Sequence, residues 1–233
     1  MVDIAANFQR VRERIATAAE RVGRDPAEIT LVAVTKTHPP EVIRAAYEVG
    51  QRHFGENRVK EAAGKVGDLP GDITWHMVGH LQSRKAALAV DLFDIVHSVD
   101  SVKLARRLDR FCAERGRTMP VLVEVNVSGE ASKYGFPIAD RGALEAAIAE
   151  MLTLPHVRIE GLMTMAPIVA DPEEARPMFR ALRELRDSLA ARFSQVEWRH
   201  LSMGMTDDFE VAIEEGATMV RIGRAIFGPR GAR

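Results

Sequence analysis

The sequence predicts a closed (β/α)8 barrel, the TIM-barrel class, with an extra helix at its N-terminus. Three observations carry this expectation. Eight short apolar runs alternate with helical segments, and strict alternation implies parallel strands joined by crossover helices. The eight units occupy about 200 residues, which suits a closed ring better than an open sheet. No linker or low-complexity stretch interrupts them, so residues 1–233 are expected to form one domain.

The leading helix is read over residues 3–22. Ile4, Phe8, Val11, Ile15 and Ala19 recur at spacings of three and four, and Gly23 follows as a stop. The first strand, about 30–35, is the run Leu31-Val32-Ala33-Val34, closed by Thr35-Lys36. Pro39–Pro40 then open a helix that Gly50 ends. The second strand is His53–Glu56, followed by a helix near 57–66. The third is Ile73–Gly79, with a short helix from about Ser83, and the fourth is Asp94–Val99, with a helix near 101–115. Val121–Val127 alternates cleanly as the fifth, and Gly129 marks its end. A helix near 138–152 leads to the sixth strand, Val157–Met163. The long helix of about 172–192 has Asp171 as N-cap, Pro172 at its first position and Pro177 in its first turns, which would allow a later start. Glu197–Ser202 is the seventh strand, with a helix near 207–215, and Thr218–Gly223 is the eighth.

The bulk properties exclude several functions. With 32 basic and 33 acidic residues, no global field recruits nucleic acid or anionic lipid. The basic runs Arg106–Arg107 and Arg183–Arg186 are interleaved at helical spacing and read as solvated helix faces. No apolar run approaches the ~20 residues that span a bilayer. A single cysteine, Cys112, precludes an internal disulfide. The N-terminus lacks the basic region and apolar core of a secretory signal, so a cytoplasmic location is expected.

A barrel of this type carries its chemistry on the loops after the strands. That rule selects Lys36 and His38, Glu56 and Asn57, His80, then Asn126, Lys133 and Tyr134, then Ser202–Asp208, and last Arg221, Gly223 and Arg224. The last two segments suit an anion. Ser202 and Thr206 supply hydroxyls, Gly204 and Gly223 allow close backbone approach, and Thr206 or Asp207 could cap a helix whose N-terminus favours negative charge. Plain capping and turn chemistry would use the same residues. Lys36 also has two readings: a lysine snorkelling its head to water, or a reactive amine. An amine and a phosphate cradle in one ring fit pyridoxal 5′-phosphate (PLP), which needs both. Arg221, on the strand that closes against the first, could donate to the pyridine nitrogen. His76 and His80 have a metal-like spacing, but on a strand they stand ~13 Å apart. No metal site is expected.

The segments Val34–Pro39, Phe54–Asn57, Trp75-His76 with Gly79 and Leu81–Ser83, Gly129–Gly135, Gly161–Met163, Leu201–Met205 and Arg221–Gly223 with Ile226–Gly228 resemble the YggS/PROSC family of PLP-binding homeostasis proteins. The resemblance runs from about Leu31 to Phe227, in order. It implies the barrel of the alanine racemase N-terminal domain, with Lys36 as the Schiff-base lysine and Arg221 as the ring-nitrogen partner. It further implies phosphate contacts from Ser202, Thr206 and the backbone of Gly223 and Arg224, and places Asn57 beside the ring. The implied function is intracellular PLP buffering and delivery, with PLP-dependent apo-enzymes as possible recipients and no catalytic residue assigned. A monomer is the expected state. Three positions depart from the family pattern: His38 where lysine is common, His80 where proline is, and Arg84 where asparagine is. The alternative is a PLP-dependent amino-acid racemase. Barrel-type racemases take a tyrosine from an extra β-domain, which is not seen here. Of Tyr47 and Tyr134, Tyr134 could approach the site.

Overall fold

Strands apolar on both faces must be covered by helices outside and by side chains inside. In the computed structural model, which describes residues 2–130 and 132–229, nine strands meet this need. Met1, Ala131 within the Gly129–Gly135 motif, and residues 230–233 lie outside the described residues. The strands are β1 (Thr30–Val34), β2 (His53–Glu56), β3 (Thr74–Met77), β4 (Ile95–Val99), β5 (Met119–Asn126), β6 (Phe136–Pro137), β7 (Val157–Met163), β8 (His200–Ser202) and β9 (Met219–Ile222). The ring runs β1-β2-β3-β4-β5-β7-β8-β9 and closes from β9 to β1, every pair parallel. This is the (β/α)8 barrel the alternation predicts. The two-residue β6 adds beside Val125 and Asn126 and has no counterpart in the sequence reading.

The helices are α1 (Ile4–Arg21), α2 (Pro40–Glu48), α3 (Val59–Ala63), α4 (Ala86–Leu92), α5 (Val102–Glu114), α6 (Arg141–Met151), α7 (Arg176–Arg192), α8 (Phe209–Glu214) and α9 (Arg224–Phe227). The extra helix α1 is capped by Asp3, whose carboxylate accepts from Ala6 N–H at 2.9 Å. It buries Phe8, Val11 and Ile15 against the barrel and is tied to α8 by Arg14–Glu210 and Arg21–Glu214 pairs of 3.0 and 3.2 Å.

Three elements differ from expectation for physical reasons. α3 is shorter than 57–66 because Lys65 turns inward to the buried Glu56 and the half-buried Glu61, and the chain continues as a 3-10 turn, Val66–Asp68. The long helix begins as a 3-10 turn, Pro172–Ala175, and becomes α-helical at Arg176, which leaves Pro177 in the first turn, where it is tolerated. β8 has only three residues, because Trp198 donates its indole N–H to Phe193 O and Arg199 N–H bonds Glu197 O instead of a ladder.

Candidate functional site

Lys36 continues the inward face of β1. Val32 and Val34 pack with Val78 inside the barrel mouth, and side chains alternate along a strand. Thr35 therefore points outward, where it is buried. Its hydroxyl donates to Glu56 Oε1 at 2.7 Å, and its carbonyl accepts from Lys65 Nζ at 3.0 Å. Lys65 also pairs with Glu56 at 2.9 Å and Glu61 at 2.7 Å. Glu61 in turn accepts from Thr37 N–H. Thr37 adopts a left-handed φ of 69°, a strained conformation for a β-branched residue. The loop is thus pinned from outside, and Lys36 is directed to the mouth. Burial raises the Glu56 pKa, against its bonds to Lys65 and Thr35. Burial also acts upward on Glu61, but Lys65 and the Thr37 N–H outweigh it and hold that carboxyl low.

A cavity of about 500 Å3 opens at this mouth. Lys36, His38, Asn57, Thr206, Arg221, Gly223 and Arg224 all line it. Each comes from a loop or strand end the fold rule selects. Gly223 lies against the end of β1: a Cβ there would stand 3.2 Å from Val34 O, so the last loop meets the strand that carries Lys36. Asn57 is packed under Gly79, where a Cβ would come within 2.8 Å of Asn57 Cα. Its Oδ1 is buried and has no hydrogen-bond partner among the described residues. Asp208, not Thr206 or Asp207, organises the turn before α8; its carboxylate accepts from Met205 N–H at 2.6 Å. Asp207 instead pairs with Arg224 at the surface.

Arg221 is buried at the base of this cavity. Nη1 donates to Ser202 Oγ at 2.5 Å and Nη2 to Thr164 O at 2.7 Å. Burial draws its pKa down to about 10, against the fields of Asp208 and Glu124, so the group remains a cation. Ser202 is the predicted residue that the structure does not bring to the cavity. It is fully buried, and its hydroxyl is shared between Arg221 and His97 Nδ1, 2.8 Å away. In this structure the Ser202 hydroxyl is thus engaged by Arg221 and His97.

The residues that depart from the family pattern are placed as follows. His38 lines the cavity and packs on Phe227 with ring centroids 5.0 Å apart. His80 Nδ1 lies 3.1 Å from Asp100 Oδ2, and its ring stacks on Tyr134 at 3.7 Å. Tyr134 does not line the cavity, and neither does Tyr47, whose hydroxyl bonds Asp72 at 2.7 Å. Arg84 bonds Gln82 at 3.0 Å. His76 points into the barrel toward His53 and His97, and among the described residues no cluster of three ligating side chains could hold a metal. Sequence reasoning missed the Lys65 cluster, the segment Met165–Pro172 that walls the cavity, and Thr164.

The fold and site define a class: a parallel barrel with a lysine, an arginine and a glycine-bearing loop converging on its mouth. The family model for the alanine racemase N-terminal domain matches residues 6–231. Pyridoxal phosphate homeostasis proteins from Aquifex aeolicus and Escherichia coli are 45% and 41% identical, covering 96% and 99% of this chain and 96% and 98% of their own. The structure of PipY of Synechococcus elongatus with PLP bound is 42% identical, with a TM-score of 0.80 over 94% of this chain and all of that one. An alanine racemase of Clostridium difficile shares the fold at 14% identity, with a TM-score of 0.77 over 99% of this chain and 57% of its own. This chain belongs to the pyridoxal phosphate homeostasis protein family. Among the described residues, no helix is long and apolar enough to cross a membrane.

Proposed function

We propose that this chain binds PLP covalently through Lys36 and serves the supply of that cofactor, holding and releasing it without turning over a substrate. The observation that carries the reading is the convergence of Lys36, Asn57, Thr206, Arg221, Gly223 and Arg224 on one cavity. The names of the relatives and the PLP-bound PipY structure support it. PLP supplies, when bound, an aldehyde that an amine can capture and a ring that withdraws electrons. Lys36 offers the amine. The Thr206 hydroxyl and the backbone at Gly223 and Arg224 are the donors for the phosphate, and Asn57 Oδ1 offers an unpaired acceptor. Arg221 donates and cannot accept, so a ring nitrogen facing it stays unprotonated. Such a ring is a weaker electron sink than one paired with a carboxylate. Neither tyrosine reaches the cavity to act as a racemase's second acid.

In the same reading the chain acts as one domain and a monomer in the cytoplasm, and passes PLP to apo-enzymes. The direct test adds PLP, reduces the mixture with borohydride and maps the labelled peptide. Label at Lys36, lost in Lys36→Ala, is the expected result; label elsewhere, or equal label in the variant, overturns the reading. Incubating the loaded protein with L- and D-amino acids in deuterated water tests the absence of turnover. Cα exchange at ordinary enzyme rates, about 1 per second or faster, would make it a racemase.

A further inference from the structure

A chain of side-chain hydrogen bonds runs through the barrel beneath Arg221. His53 Nδ1 lies 3.0 Å from His76 Nε2, His76 Nδ1 lies 2.8 Å from His97 Nε2, and His97 Nδ1 lies 2.8 Å from Ser202 Oγ. Arg221 donates to the same Ser202 oxygen. β4, which carries His97, and β8, which carries Ser202, are not neighbours in the ring, so this bond crosses the interior. His76, His97, Ser202 and Arg221 are all buried. His53 is half-buried and lines a separate cavity of about 480 Å3 at the opposite end of the strands.

Donor chemistry gives the chain one direction. A guanidinium has no acceptor, so Ser202 Oγ must accept from Arg221. Its own hydrogen then goes to His97 Nδ1. His97 must carry its hydrogen on Nε2 and donate to His76 Nδ1, and His76 must donate from Nε2 to His53 Nδ1. The reverse order would aim hydrogens from both Arg221 and His97 at one hydroxyl oxygen and leave the Ser202 hydrogen to find a third group. We propose that His53, His76, His97 and Ser202 form a directional hydrogen-bonded spine that positions Arg221 at the mouth and couples it to the protonation state of His53 at the floor. The proposal rests on the PLP reading for its consequence, because Arg221 is the residue that would face the ring nitrogen.

A protonated His53 carries hydrogen on both nitrogens and cannot accept from His76. The lowest bond then opens, and the chain above it, still directed by Arg221, loses its last acceptor and the polarisation that acceptor lends to each bond. The surroundings of the spine are consistent with neutral imidazoles inside it. Burial, then neighbouring histidines, draws His76 down to about 3, and burial holds His97 well below its ordinary value. His53 is lowered by burial and raised by Asp94; Arg12, Gln51 and Arg52 share its cavity. His200 faces the same interior from β8, itself facing Glu160, Arg199 and Thr218, while Asp208 and Glu124 face Arg221.

Two measurements test this. The first uses the protein without PLP and reads imidazole tautomers by 15N NMR. His76 and His97 should each show a single neutral form with hydrogen on Nε2 from about pH 8 to about pH 5. The Nδ1–H form, a mixture, or an imidazolium at either residue overturns the spine. The second follows the absorption of the PLP-loaded protein against pH. The wild type should show a spectral step on the acid side of about pH 6.5, absent in His53→Gln, whose amide oxygen still accepts from His76 but does not titrate. An unchanged step in the variant, or no step in the wild type, overturns the coupling. Failure to bind PLP at all defeats the functional reading and leaves the tautomer result standing.

Discussion

At the residue scale, Lys36 was legible and its supports were not. A lysine two positions beyond Val34 on an inward-facing run advertises itself, because alternation aims it at the barrel mouth. Lys65 reads in sequence as one more polar residue near a helix end. It is in fact the buried cation that neutralises Glu56 and holds the Thr35 carbonyl. Removing one partner of a buried pair leaves the other charge stranded, at a cost of about 3–5 kcal/mol. Lys65→Met should therefore destabilise the fold by that order at pH 8. The sign with pH follows from Glu56. Burial already raises its folded pKa, so its ionisation penalty is absent below the ordinary carboxylate range and grows as pH rises. Thermal melts should show a small loss for the variant near pH 4.5, where a carboxylic acid is half protonated in the unfolded chain, and a large one at pH 8. Equal losses at both would mean that Glu56 is not the stranded group. The hydrogen bonding of Ser202 was out of reach for a related reason. Spacing names the strand it ends, but the depth of its hydroxyl depends on stagger between strands that no single segment displays.

At the element scale, the alternation of strands and helices was legible throughout, and the irregularities were not. β7 pairs Ile159 with Val121 and then Gly161 with Leu122, so Glu160 is an extra residue bulged out of the ladder. β4 is likewise out of step with β5 between Val96 and Val99, the stretch that holds His97. Both are counted against a partner strand, which a reading of one run at a time does not supply. The bulge in β7 brings Gly161 against β8. At a φ of 156°, an added Cβ would lie 2.7 Å from His200 C and 2.9 Å from His200 N, backbone atoms that cannot swing away. Gly161→Ala should cost at least ~3 kcal/mol, the range of backbone and overpacking effects combined. Gly142→Ala on α6, whose new carbon meets only Asp140 Oδ1 at 3.9 Å, should instead be neutral or stabilising by up to ~1 kcal/mol. Urea midpoints of the two variants check the contrast. A mild Gly161→Ala would mean that β7 and β8 are not packed this closely.

At the scale of the whole molecule, the barrel interior is polar where such barrels are usually filled by branched aliphatic side chains. Leu122, Met163, Ile95 and Met219 make a small apolar cluster, and histidines, Ser202, Glu124 and Arg221 occupy much of the rest. The four strand histidines were visible in the sequence, but their common inward face emerged only with the ring closed. This interior sets opposing pH limits on stability. His53, His76, His97 and His200 all have lowered folded values, so the unfolded chain binds more protons than the fold as pH drops below 6.5, and stability falls on that side. Glu124 acts in the other direction. It is buried, its Oε2 has no hydrogen-bond partner, and burial followed by the Asp100 charge raises it to about 7 against the pull of Arg221. The folded state therefore holds a proton there that the unfolded chain releases near 4.5, and stability falls as pH rises through that window. A tenfold difference in proton affinity between the folded and unfolded chain is worth about 1.4 kcal/mol, so the loss above pH 7 is on the order of 3 kcal/mol. Glu124→Gln keeps the shape and removes the titration. Its melting temperature should exceed that of the wild type at pH 8, match it near pH 5, and keep the acid limb that the histidines impose. A gain of the same size at both pH values would show that the amide improves packing and that Glu124 carries no proton in the fold.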